Sequence, residues 1–161
     1  MKPASHLPRV FVVALISISA LASSCSDQTS PEQVASAFIQ RAEAAIEDRN
    51  LRNLKKLVSK NYLDPHNRTH NDVVGLGSAY VLRTGSIHLF ADLASATLVD
   101  DRIEARVLAA FVARKVTDRI TLLQMDADIY WFDIVLKDEG DGWQVVSATW
   151  QQAMLDDFLS K

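Results

Sequence analysis

At Ser86 the hydrophobic pattern of this 161-residue chain changes period, and that switch restricts the fold more than any motif in it. Before it, apolar residues recur every three to four positions: Val34, Phe38, Ala42, Ala45 and Ile46, then Leu51, Leu54, Leu57 and Val58, then Val73, Val74, Leu76, Tyr80 and Val81. After it they alternate, as in Ile103, Ala105, Val107, Ala109 and Phe111 interleaved with Glu104 and Arg106. Helices first and strands afterwards imply an α+β fold, with N-terminal helices packed on one face of a curved antiparallel sheet. Hydrophobic residues make up 48% of the chain and Gly and Pro only 5 and 4 positions, which excludes collagenous, low-complexity and wholly disordered classes.

Local signals place the elements. Ser30-Pro31-Glu32-Gln33 is a capping box with proline at the first helical position, so the first helix starts there. Its pattern breaks near Asp48 to Asn50, giving two helices or one bent one, and Asp64-Pro65 closes the helical stretch. Thr69 with Asp72 opens a further helix with Gly85 as its expected stop. Gly75 and Gly77 inside it each cost about 1 kcal/mol relative to alanine, so either something packs closely against that helix or it is mobile. Ile87 to Val99 is strand-like with a break near Asp92, and Asp100-Asp101 is a turn. Val116 to Gln124 is a strand extension or a long connection. Tyr130 to Lys137 is a strand, residues 138–142 a hairpin loop, Trp143 to Trp150 the last strand and Met154 to Leu159 a short terminal helix. Residues 31–161 contain no internal repeat and no linker, and read as one domain.

The first 24 residues read as a leader. Lys2 and Arg9 precede a 12-residue apolar run, Val10 to Leu21, too short to span a bilayer but right for a signal peptide. Ala22, Ser23 and Ser24 then stand before Cys25, the only cysteine, so no internal disulfide forms. This segment resembles the lipobox of bacterial lipoproteins, although Ala22 stands where that family most often has leucine. The resemblance implies lipidation of Cys25 and cleavage just before it. Ser26, in place of the aspartate that retains such proteins in the inner membrane, implies the periplasmic leaflet of the outer membrane. The other reading is an ordinary secretory signal that leaves Cys25 a free thiol. Residues 25–30 form a polar tether. Removing the leader leaves 15 basic against 20 acidic residues, a formal charge of −5. The densest basic cluster, Arg49 to Lys60, lies on an amphipathic helix, so nucleic acid is not an expected partner.

From Pro31 to Gln151 the chain resembles the nuclear transport factor two-like superfamily, the cone fold of ketosteroid isomerases and small polyketide cyclases. The residues carrying the resemblance are the first helix with Asp48, Leu51, Leu54 and Leu57, the exit Asn61-Tyr62-Leu63-Asp64, and Asp141-Gly142-Trp143-Gln144-Val145-Val146 with Trp150. The resemblance implies a conical pocket between the concave sheet and the helices. The isomerases need a carboxylate base together with a tyrosine and a protonated acid. The first helix, Pro31 to Ile46, has no tyrosine, so that constellation does not carry over.

Candidate site residues follow. Phe38, Tyr80, Phe111 and Phe132 are the expected pocket lining. Asp64 is the one candidate base, but aspartate before proline is ordinary turn chemistry and that reading is preferred. His66 and His70, with Asp64 and Asp72, straddle a loop and a helix cap and read as a solvated loop rather than a metal site, and His88 as a satisfied or exposed strand residue. No metal and no cofactor is expected. Alternation sends Tyr130, Phe132, Ile134 and Leu136 to the concave face and Ile129, Trp131, Asp133 and Val135 to the convex one, where Leu108, Ala110 and Val112 join them. Ile129, Trp131 and Val135 are therefore the candidate interface for a second copy or an envelope protein, unless the 116–124 segment or the terminal helix covers them. The expected role is a non-catalytic binding or assembly lipoprotein of the outer membrane. The alternative is an isomerase-, dehydratase- or cyclase-like enzyme acting on a small apolar ligand in the cone.

Overall fold

A computed structural model describes residues 29–122 and 125–158; the leader and Cys25 lie outside the described residues. Helices α1 (Pro31–Glu47), α2 (Leu51–Lys56) and α3 (His70–Arg83) precede strands β1 (His88–Val99) and β2 (Arg102–Val112). A short helix α4 (Arg119–Leu122) then leads to β3 (Ala127–Asp138), β4 (Trp143–Gln152) and a closing 3₁₀ turn, Leu155–Phe158. The strands form one antiparallel sheet in the order β1-β2-β3-β4. Every buried side chain of the described core lies between Val34 and Phe158. No helix among the described residues is long and apolar enough to cross a membrane.

Ser30 caps α1 as expected: its hydroxyl accepts from the Gln33 amide while the Gln33 side chain accepts from the Ser30 amide at 2.8 Å. The break is real and makes two helices, because Arg49 turns left-handed (φ 52°) and Asn50 caps α2. Arg49 reaches across to the far end of α3, where its guanidinium donates to the carbonyls of Leu82, Thr84 and Gly85. That is the favourable end of the helix dipole for a cation, and α3 stops at Arg83 with extended Thr84 as its cap, one residue before the expected Gly85. Nothing lies within 4 Å of a Cβ added at Gly75, and at Gly77 only Leu54 does, at an ordinary 3.6 Å. Close packing therefore does not require either glycine.

The expected break near Asp92 is a bulge between Leu93 and Ser95 inside one continuous β1. In the β3–β4 loop Gly140 and Gly142 take φ of 93° and 97°, conformations that side chains resist. Residues 57–63 run alongside β4: the Val145 amide donates to Leu57 O, the Ser59 amide to Val145 O and the Leu63 amide to Val146 O. The main core joins α1 to the concave face through Phe38, Val107, Ile134 and Leu136.

The convex face corrects one expectation. Ile129 is 6% exposed and belongs to a second core with Leu108, Ala110, Val112, Val116, Leu122 and Phe158. The 116–122 segment, capped by Asp118 onto Thr121, and the closing turn fold over that half of the sheet, so Ile129 is withdrawn from any interface. Trp131 is half-buried under the Arg106 guanidinium, 4.7 Å from its ring centre, and Arg106 also pairs across the strands with exposed Asp133. Val135, half-buried, lies further along a strip that the described part of the closing turn does not reach, among Glu104, Ser147 and Thr149.

Candidate functional site

The cone opens beneath α3. Residues 73, 76, 77, 80 and 83 repeat at helical spacing and turn one side of α3 toward the sheet. Opposite them the concave face supplies Phe111, Tyr130, Phe132 and Trp150, which register places side by side: Ala109 pairs with Tyr130, Val107 with Phe132, and Phe132 with Trp150. Ile46 and Leu54 close the side against α1 and α2. The cavity measures about 360 Å³. A separate, entirely apolar recess of about 200 Å³, lined by Phe38, Ala42 and Leu89 among others, shares Phe111 and Phe132 with it.

The aromatic walls are mutually braced. The Phe111 ring meets Tyr80 edge-on at 5.4 Å and both Tyr130 and Phe132 at 6.3 Å between centres, geometries that suit ring quadrupoles. The Tyr80 hydroxyl donates to Asp128 Oδ2 at 2.8 Å, across the mouth from β3. Burial, then the bond to Asp128 and its charge, raise the Tyr80 phenol well above its usual range, so it holds its proton at any physiological pH. Arg83 is the one charged side chain lining the main cavity.

Trp150 is positioned from behind. The Arg68 guanidinium lies over its ring at 3.7 Å, and Arg68 Nε donates to Asp64 Oδ2 at 2.6 Å. Asp64 also accepts from the His66 and Arg68 amides at 2.8 and 3.0 Å and from the Tyr62 hydroxyl at 3.2 Å. Burial pulls its carboxyl upward, but the bonds from Arg68 and His66 outweigh that and hold it below the ordinary carboxylate range. Burial, with the Asp64 charge beside it, pushes the Tyr62 phenol up to about 12.

Solved structures with this arrangement share little sequence with it. A candidate dehydratase of the nuclear transport factor two-like family from Streptomyces avermitilis superposes with a TM-score of 0.60 at 11% identity, covering 76% of this chain and 95% of that one. The fold is nuclear transport factor two-like. A candidate scytalone dehydratase from Novosphingobium aromaticivorans gives a TM-score of 0.60 at 8% identity over 76% and 84% of the two chains. Bd1075 of Bdellovibrio bacteriovorus gives 0.58 at 12% over 76% of this chain, which spans only 40% of that longer protein. No family model and no curated protein matches the sequence.

Within this nuclear transport factor two-like cone, Tyr80, Phe111 and Phe132 meet at the main cavity, whereas Phe38 lines the deeper recess. Asp64 lines neither; its carboxylate oxygens are filled by donors, the geometry of a turn and a strut rather than of a base. His70 Nδ1 lies 2.9 Å from Ser59 O, and His88 Nδ1 lies 2.9 Å from Glu47, joining the end of α1 to the start of β1. No group of three potential metal ligands gathers among the described residues. The Asp128–Tyr80 pair and Arg83 escaped the sequence reading. Extending the concave alternation two residues back from Tyr130 reaches Asp128, and one more turn beyond Tyr80 reaches the region of Arg83, so the signal for both was periodicity carried past the apolar run.

Proposed function

We propose that this chain is a lipid-anchored periplasmic protein of the outer membrane whose cone holds a small apolar ligand without transforming it. The observation that carries the reading is the cavity itself: about 360 Å³, walled by aromatic and aliphatic side chains, with no carboxylate or imidazole among its lining residues. Sites for small molecules fall in this range of volume and are mostly apolar with a few polar groups. General acid–base catalysis needs a proton acceptor within reach of the ligand, and the carboxylate at the mouth, Asp128, lies outside that lining and accepts from Tyr80. The anchor rests on the sequence alone, on the leader and the Ala22-Ser23-Ser24-Cys25 junction. Two or three acyl chains hold a protein to a bilayer where one is marginal.

Residues 26–161 include every described element, and two measurements on them test the binding role. Neutral N-phenyl-1-naphthylamine should gain fluorescence on saturating one site, and native mass spectrometry of fresh protein should show an added mass lost on denaturation. Absence of both removes the reading. Labelled palmitate should enter the full chain and not Cys25→Ala; an unlabelled, soluble wild type removes the anchor.

An isomerase- or dehydratase-like activity is the second reading, favoured by the Tyr80–Asp128 pair at the cavity mouth. On that reading Asp128→Asn abolishes turnover of a bound ligand and leaves its affinity intact.

A further inference from the structure

We propose that the occupant of the cone is a single-chain anionic amphiphile, its alkyl chain running under α3 past Phe111 and Phe132 and its headgroup resting on Arg83. The inference deepens the binding role proposed above and rests on it.

Two features select a chain over a compact ring. The main cavity has an apolar neighbour: Phe111 and Phe132 also line an adjoining recess of about 200 Å³, all of whose lining side chains are apolar. A flexible chain can pass the two shared rings from one space into the next where they swing aside, whereas a rigid ring system fills one. At the other end, Leu76 lines the mouth and is 53% exposed, so a chain leaving the cavity passes an apolar side chain at its rim.

Charge selects the headgroup. Arg41, Arg49, Arg68 and Arg106 each hold a carbonyl, a carboxylate or a ring. Arg83 makes no hydrogen bond or ion pair with another described residue, and it is exposed at the edge of an otherwise uncharged lining. A guanidinium in that position offers paired donors to a carboxylate or phosphate. The Asp128 carboxylate is engaged by the Tyr80 hydroxyl, and it bears on the choice of probe because it would favour a cationic head instead.

The experiment is displacement of N-phenyl-1-naphthylamine from residues 26–161 by twelve-carbon probes below their micelle concentrations: dodecanoate, dodecyl phosphate, dodecanol and dodecylamine. Dodecanoate or dodecyl phosphate should bind more tightly than dodecanol, and dodecylamine least tightly; whichever anion leads identifies a free carboxylate or a phosphate head as the source. Arg83→Gln should weaken the anions about two- to fivefold, the range of an exposed ion pair, and leave dodecanol unchanged. Shortening the carboxylate should weaken binding about three- to fourfold per methylene until the recess is no longer reached. Equal binding of all heads, preference for the amine, or an unchanged anion affinity in Arg83→Gln overturns the inference while dye binding still upholds the apolar site. Failure of the dye itself overturns both.

Discussion

Gly75 and Gly77 offer the sharpest test of how α3 is built. Each sits inside a 14-residue helix, where glycine is less favourable than alanine by roughly 0.5–1 kcal/mol through backbone entropy. Such a cost persists when a neighbour leaves no room for a methyl group. Here there is room: an added Cβ at Gly75 meets nothing within 4 Å, and at Gly77 it meets Leu54 at 3.6 Å. Gly75→Ala with Gly77→Ala should therefore stabilise the protein by about 1–2 kcal/mol, or roughly 4–8 °C in melting temperature for a domain of this size. Urea titration followed by tryptophan fluorescence measures it, with Gly142→Ala as the opposite control. That glycine is held at φ 97°, where alanine is strained, and should lose about 1 kcal/mol. A double alanine variant less stable than the parent would refute the reasoning, since it would mean that α3 needs its glycines for packing. If α3 yields to admit a ligand, the same variant should also bind the naphthylamine dye more slowly in stopped flow.

Phe158→Ala, at a fully buried site, should cost about 3–4 kcal/mol and uncover the convex apolar cluster, seen as increased binding of a hydrophobic dye. Arg49→Ala removes the guanidinium from the last carbonyls of α3 and should cost about 1 kcal/mol, with faster amide exchange near Leu82. Asp64, Asp72 and Glu139 are all held below their ordinary carboxylate values in the folded state. Their stabilisation is therefore present at neutral pH and lost as pH falls through about 4 and below, and Asp64→Asn should flatten that acid limb and loosen Trp150 as read by fluorescence. Trp131 packs against the second core, so if the convex strip beside Val135 is an interface, Val135→Glu should change the mass measured by light scattering; an unchanged monodisperse mass ends that idea.

Much of the fold was legible because it is written in short-range signals. The Ser30–Gln33 and Thr69–Asp72 boxes set helix starts, and strict alternation fixed both faces of β2 and β3. What stayed hidden depends on contacts distant in sequence. Gly85 follows directly on the Thr84 cap of α3, where a stop was expected, but the guanidinium that holds the carbonyls there comes from Arg49, more than thirty positions earlier. Ile129 looked exposed because alternation gives a face and not what lies over that face; Phe158, at the far end of the chain, decides it. The cavity was legible in its aromatic walls and not in its charges. Asp128 and Arg83 stand at the ends of their elements, where a pattern of apolar residues has already run out.

The stretch 57–63 has a consequence for how copies of this protein tolerate one another. By giving its amides and carbonyls to Val145 and Val146 it acts as a partial fifth strand and occupies hydrogen-bonding groups on the outer side of β4 that another chain would otherwise find open. At the opposite border β1 carries the bulge at Leu93–Ser95, which interrupts the regular ladder a foreign strand would have to match. The two borders of the sheet are thus guarded by different means, one by cover and one by irregularity. Copies that meet at high concentration gain from both, because among the described residues they find no long regular edge on which to polymerise.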